Sequence, residues 1–508
     1  MSPRPATNNA PPPPSHRLWL LAALLAVAVL RLWRLPEAGA PDYDSVRNWQ
    51  AVQALTHGDF SRLFMPGCPA FLLSYALVAL FTRSFLVFQT INALLGVAGL
   101  GFFAAWVSRQ ARLTGPETAG LTLLAGTGLL LTFAGRDFTP NSISLLLCAG
   151  LLQSHFARLE RPNPAALVRV AAWLALGLSF SYKFLFTLPI LLVLELLRTD
   201  GLWRARWVWV WVRVLAVLAT PYVLFGALGV AVGLPWYRWL AFYVRTVVPV
   251  AANVAGRQAT IKPDFLYYLR YLAEFESPLL LLGLGVAAWL AWRGWRGGWR
   301  PGIGPWPLLP YLLFWVVCLL AGMSLLLKAP RGLLFALLPL AALAVLAGRR
   351  VLPGWALLGL LAVAAGLNVR HIQRAIYTSL PTPYAQVAAW LWEHGTHKVA
   401  STVGLGLAPF LAESETLTVV NDEKMLARLR AQGYDYVLLD SYWRVAGVAH
   451  FDSLRRQTPV AAWPAPQLQQ PLLFLEHSEY TGRGFAETLA ASSAAAADSL
   501  PLRLYRLR

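Results

Sequence analysis

Charge is scarce in this chain, and acid is scarcest. Charged residues make up 13% of its 508 positions, with 24 Asp and Glu against 43 Lys and Arg. An ordinary soluble domain carries about 25% charge, so this composition excludes one. Cysteine is scarce too. Cys68, Cys148 and Cys318 form no disulfide framework, and no pair has metal-ligand spacing. No His/Cys/Glu set is spaced for a metal, and no Gly-x-Ser-x-Gly nucleophile elbow occurs. The net charge of +19 does not point to nucleic acid, because the arginines flank apolar runs and build no basic patch with interleaved aromatics. Metal, cofactor and nucleic-acid partners are therefore not expected.

What the chain has instead is apolar sequence, 57% of all residues. Runs able to cross a bilayer lie near 18–35, 85–107, 119–134, 140–158, 166–181, 183–198, 207–231, 279–293, 306–327, 332–348 and 352–368. This is the pattern of a polytopic α-helical membrane protein with about eleven transmembrane helices. The first run lacks a small-residue cleavage site and reads as a retained span, not a removed signal peptide. Residues 1–16, with prolines at 11–14, read as a disordered cytoplasmic tail.

A further run, 69–82, is shorter and starts at Pro69. Charge decides how to treat it. If it lies flat at the outer interface, one side of the membrane collects Arg4, Arg17, Arg109, Arg112, Arg158, Arg161, Arg198, Arg204, Arg206, Arg293, Arg296, Arg300, Arg349 and Arg350. Only Glu117, Glu160 and Asp200 oppose them there. Cytoplasmic loops favour Lys and Arg, so this arrangement, with the N-terminus inside, is the expected one. Two long outer loops follow, 36–84 and 232–278, the second rich in aromatic and basic residues.

From about Tyr377 the composition changes. Helix-like Tyr384–His394 and Asp422–Gln432 alternate with strand-like 398–403, 416–420 and 434–440. Residues 377–508 therefore read as a small α/β domain with a parallel sheet, outside the cell membrane.

The outer face gathers most of the informative polar residues. The loop after the first span reads Pro41-Asp42-Tyr43-Asp44-Ser45-Val46-Arg47 and continues to His57 and Asp59. Carboxylates beside a bilayer are costly and usually functional. Asp44, or Asp42, suits a general base for an incoming hydroxyl or amine. The competing reading of Asp44 is a helix N-cap before Ser45–Thr56. Arg47 and His57 either orient this loop, contact phosphate, or are surface charge. Arg136-Asp137 sits between two spans, either as a buried ion pair or with Asp137 holding an acceptor. Lys183 is either a snorkelling lysine or a phosphate contact. Lys328 and Arg331 put two cations on one short outer turn, against the usual bias, and suit a lipid phosphate.

In their order, these motifs resemble the GT-C membrane glycosyltransferases, in particular family 39, the protein O-mannosyltransferases and aminoarabinose transferases. The likeness spans about residues 15–370. Asp44 matches the family's aspartate, while Ser45 stands where the family has glutamate. Gly58-Asp59-Phe60 and Met65-Pro66-Gly67-Cys68-Pro69 follow, the latter where a His-Pro-Pro-like segment is common. Arg136-Asp137 looks like the second acidic turn, Tyr182-Lys183 like the lysine hairpin, and Lys328–Arg331 with Leu333–Pro339 like the arginine-containing span. The resemblance implies a multi-pass protein of the bacterial inner membrane. It implies a polyprenyl-phosphate sugar donor and a glycan, lipid or protein acceptor, with Asp44 as base and no required nucleotide. A flippase for lipid-linked sugars and a non-catalytic scaffold are the competing readings. Cysteine substitutions along 69–82 test the topology: labelling from the outer side alone is expected, and labelling that switches sides along the run would reverse every later loop.

Overall fold

The computed structural model describes residues 14–39, 43–65, 68–160, 163–197, 208–247, 263–297, 306–396, 398–402, 406–411, 416–420, 422–439 and 451–507. Asp42, Pro66, Gly67, most of the tail, the middle of the second long loop, and Arg4, Arg161, Arg198, Asp200, Arg204, Arg206 and Arg300 lie outside them. The first helix, α1, already starts at Pro14, since proline is favoured where a helix needs no N–H.

All eleven apolar runs are helical. They form α1 (Pro14–Leu32), α4 (Phe85–Ala111), the broken pair α5 (Gly115–Gly126) and α6 (Leu129–Gly135), α7 (Asn141–Glu160), α8 (Pro164–Phe180) and α9 (Leu188–Leu196). Then follow α10 (Val208–Ala231), α13 (Pro278–Arg296), α14 (Leu308–Ser324), α15 (Leu334–Val351) and α16 (Gly354–Ala375). Among the described residues seven helices have the length and apolarity to cross a bilayer, eight if the broken pair counts as one. Helices α8 and α14 have 17 residues and α9 has 9, short of the roughly 20 a bilayer asks for. The run at 183–198 is shortened because its first turn is a 3-10 segment, Tyr182–Thr187, before Pro189 restarts the helix.

The remaining helices of the bundle are α2 (Tyr43–Thr56), α3 (Pro69–Ala79), α11 (Arg238–Val247) and α12 (Tyr267–Phe275). Helix α3 is the run at 69–82. Its 11 residues rise about 16 Å, half the roughly 30 Å of a hydrocarbon core. It packs on α2 and α8.

Helix α15 is the centre of the bundle. Leu334 through Ala347 are all buried, which is why the helix is apolar on every side. Small residues let backbones close on it and on its neighbours. A Cβ on Gly283 of α13 would fall 2.4 Å from the Cα of Ala344, and one on Gly99 of α4 would fall 2.7 Å from the nitrogen of Leu146 in α7.

The two ends of the bundle differ. At one, the start of α1 meets the end of α4 through His16 Nε2 and Ser108 Oγ at 2.7 Å. Arg349 there donates to the carbonyl of Ala111 at 2.9 Å and pairs with Glu117 at 3.2 Å. This is the arginine-rich end. Arg158, read as a loop cation, is instead fully buried and pairs with Glu195 at 3.1 Å, because α9 brings its acid alongside. The other end carries α2, α3, the turns at 136–140 and 181–187, a 3-10 turn Pro330–Leu333, and the C-terminal domain.

That domain has a five-stranded sheet in the order β2-β1-β3-β5-β4. The strands are β1 (Lys398–Ser401), β2 (Thr416–Val419), β3 (Tyr436–Leu439), β4 (Ala461–Trp463) and β5 (Leu502–Arg506). The expected parallel pairing holds for β1 with β2 and β3, with Val399 opposite Leu417 and Tyr436. It fails beyond them: β5 runs antiparallel to both β3 and β4. A strand's direction depends on which end its connection delivers it to, and side-chain periodicity does not encode that. Helix α17 (Tyr384–Glu393) lies on one face, and α18 (Leu426–Ala431) on the other, each over its own apolar cluster.

The break between α5 and α6 is a bend of 69° around Gly126-Thr127-Gly128. Glu276, buried just before α13, closes it. Its two carboxylate oxygens accept the N–H groups of Leu129 at 3.0 Å and Leu130 at 2.8 Å, and Tyr271 donates at 3.2 Å. Burial pushes this carboxyl up to about 7, opposed by those donors. The folded state thus holds the proton more tightly than the unfolded chain does. Its contribution to stability is greatest below about pH 4.5 and is lost as pH rises through about 7. In detergent, Glu276→Ala is expected to lower unfolding free energy by about 1–3 kcal/mol by orphaning two amides. Glu276→Gln is expected to flatten the pH dependence of thermal unfolding between pH 4.5 and 7.

Candidate active site

The cleft at the non-arginine end encloses about 1100 Å³, counting its open mouth. Its walls come from α2, the 136–140 turn, the start of α7, the 181–183 turn, α11, the 3-10 turn before α15, and the C-terminal domain.

Asp44 sits in the first turn of α2, not at its cap, since the helix already includes Tyr43, two residues before the start at Ser45 that the sequence suggests. One turn on, Arg47 NH2 lies 2.9 Å from its Oδ1. From the far side of the cleft Arg331 NH1 approaches Oδ2 at 3.8 Å, and Arg331 Nε lies 3.8 Å from Glu476 Oε2. Lys183 Nζ donates to Asn141 Oδ1 at 2.7 Å, joining the 181–183 turn to the start of α7. Asp137, almost wholly buried, also lines the cleft.

The 136–139 turn is pinned from two helices. Ser45 Oγ accepts the N–H of Phe138 at 2.7 Å, and Asn48 donates to its carbonyl at 3.1 Å. Asn92 of α4 donates to the carbonyls of Asp137 at 2.6 Å and Thr139 at 3.0 Å. The Phe138 ring is held among Phe71, Tyr75 and Phe88. Buried backbone groups need such partners, so Ser45 earns its place as an acceptor for this turn.

Of the expected site residues, Asp44, Arg47, Asp137, Lys183 and Arg331 therefore meet in one cleft. Three others do not line it. Arg136 turns away and donates to the carbonyls of Arg31 at 2.8 Å and Trp33 at 2.7 Å. It thereby closes the C-terminal end of α1, where free carbonyls attract a cation, and makes no ion pair with Asp137. His57 is at the far end of α2, thirteen residues or about 20 Å from Asp44, and is exposed beside Arg83 at 3.0 Å. Lys328 folds back on its own turn, donating to the carbonyl of Leu326 at 2.8 Å, and burial lowers its ammonium below the usual lysine range. Asp42 is outside the described residues.

Among the cleft residues that sequence reasoning missed are Phe242 and Glu476. Phe242 enters from amphipathic α11. Glu476 ends the helix Pro471–Glu476, an acid closing an apolar stretch in a domain otherwise distant in sequence. That lone acid after Leu472-Leu473-Phe474-Leu475 was the signal available. Among the described residues no group of three His, Cys, Asp or Glu is placed to hold a metal.

Fold and site together define a polytopic membrane protein with one polar cleft at an end of its bundle, roofed by a small C-terminal α/β domain. No protein-family model matches the chain, and no curated protein matches it. Two solved structures share its fold: ArnT from Cupriavidus metallidurans in the apo state, with a TM-score of 0.58, and the same protein bound to undecaprenyl phosphate, with 0.55. Each is 13% identical, over 96% of this chain and 98% of that one. The chain thus shares the fold of ArnT over nearly the full length of both chains.

Cys68 also lines the cleft but is buried, and that burial pushes its thiol up to about 12. The thiolate is the reactive form, so at pH 8 iodoacetamide is expected to leave Cys68 of the folded protein unmodified, read by peptide mass spectrometry.

Proposed function

We propose that this protein is a membrane glycosyltransferase that moves a sugar from a polyprenyl-phosphate donor to a hydroxyl or amine of a glycan, lipid or protein acceptor. The observation that carries this reading is the placement of Asp44 against Arg331 across one cleft, with Arg47 and Lys183 on its walls. The shared fold supports it, since one of the two ArnT structures is bound to undecaprenyl phosphate.

Asp44 takes the proton of the acceptor O–H or N–H as its lone pair attacks the anomeric carbon. The bond from that carbon to the phosphate oxygen breaks, and the electron pair leaves with the phosphate. A phosphodiester of one negative charge becomes a monoester of two. Fixed cations meet that new charge without having to reorganise, the most effective form of electrostatic stabilisation. We assign this task to Arg331, which faces Asp44 across the cleft. When Asp44 gains a proton it stops competing for Arg331, as the departing phosphate starts to. Side-chain cations supply the charge, and the reading invokes no metal or cofactor.

In this reading the arginine-rich end faces the cytoplasm, and the cleft and C-terminal domain face outward from a bacterial inner membrane. The sugar-bearing phosphate reaches the cleft from the bilayer's outer leaflet.

The test is transfer from radiolabelled polyprenyl-phosphate sugars in membranes. Asp44→Asn is expected to lower the rate by about 10²–10⁴-fold at equal expression, the usual worth of a positioned base. Equal product from mutant and wild type would remove Asp44 from the chemistry. No product from either, over a panel of donors, would return weight to the flippase or scaffold reading.

A further inference from the structure

We propose that the C-terminal domain supplies a functional side chain: Glu476 balances the charge of the cleft so that it does not favour the doubly charged spent carrier over the singly charged sugar donor. This rests on the transferase reading above.

The charge count is the first support. Among its described lining residues the cleft holds three cations, Arg47, Lys183 and Arg331, and three carboxylates, Asp44, Asp137 and Glu476. Without Glu476 it would carry a surplus positive charge. That surplus would attract a phosphate monoester, with two charges, about twice as strongly as a diester with one. An enzyme whose leaving group gains charge risks being held by its own product. One buried carboxylate beside the leaving-group cation limits that risk.

The second support is how Glu476 is held. It is 6% exposed, with Oε2 at 3.8 Å from Arg331 Nε, while Asp44 faces NH1 of the same guanidinium. Both separations exceed hydrogen-bonding distance, so the interaction is one of charge more than of rigid geometry. Its neighbours are anchored in the bundle. Ser478 Oγ donates to the carbonyl of Lys328 at 2.7 Å, and Tyr267 packs edge-on against Phe485 at 5.4 Å between ring centres. Leu472, Leu475 and Phe485 belong to the apolar core of the membrane bundle, whereas the sheet has its own two cores. The segment from 471 to 485 is thus a plug of the C-terminal domain seated in the bundle, and Glu476 is at its tip.

The experiment is binding of polyprenyl monophosphate, and of a polyprenyl-phosphate sugar, to the purified full-length protein at pH 8 by native mass spectrometry or thermophoresis. Glu476→Gln, of the same shape, is expected to bind the monophosphate on the order of tenfold tighter while changing the donor less. Product inhibition would strengthen in parallel. Glu476→Asp, which keeps the charge, is expected to behave like wild type. Unchanged or weaker monophosphate binding by Glu476→Gln, with thermal unfolding at the wild-type temperature, would overturn the proposal and leave Glu476 a packing residue. Failure of the wild type to bind either lipid would bring down the donor reading itself, and this inference with it.

Discussion

Arg331 lies between two carboxylates that come from opposite ends of the chain, Asp44 on α2 and Glu476 in the C-terminal domain. Most of the architecture around the cleft places those three groups. Helix α15, apolar and buried from Leu334 to Ala347, carries Arg331 at its foot, in the 3-10 turn that precedes it. Close helix packing through Gly283 and Ala344 leaves α15 little room to shift. A cation in so dry a setting has to be balanced, and the balance here is struck by residues more than a hundred positions away on either side.

Bilayer physics explains why the cleft forms where it does. Within hydrocarbon every backbone group needs a partner, so helices cross whole and irregular backbone collects at their ends. At the cleft end that irregularity is absorbed by side chains. Asn92, Asn48 and Ser45 satisfy the 136–139 turn, Arg136 closes α1, and Glu276 closes the break into α6. Arg136, expected at the site from the sequence, is therefore structural and closes a helix end, as Glu276 does; Asp137, next in line, is left to face the cleft.

The same logic marks how far the sequence could be read. Asp44 was legible as a costly carboxylate beside the bilayer, and Arg331 as a cation on the outer side, where the loop bias disfavours one. Arg47 follows Asp44 by one helical turn, and that spacing alone puts both on one face. His57 was misleading for the converse reason: closeness along the chain becomes about 20 Å once α2 is a helix. Lys328 and Arg331 are three residues apart, yet only one reaches the cleft, because the intervening turn points them differently. Ser45, which stands where the family it resembles has glutamate, reads as a loss until the N–H of Phe138 is found bonded to it.

By itself the sequence determined that the chain spans a membrane many times, that its basic loops gather at one end, and that a compact α/β unit follows. Hydrophobic length, charge asymmetry and compositional change are local properties, and local properties survive without coordinates. It also marked the run at 69–82 as shorter than the others, and the structure limits its helix to the 11 residues of α3. Tertiary structure alone decided which charges share a cleft, that β5 enters the sheet antiparallel, and that Glu476 faces Arg331. Those are relations between segments far apart in the chain, set by packing and by the demand that buried charge and buried backbone find partners.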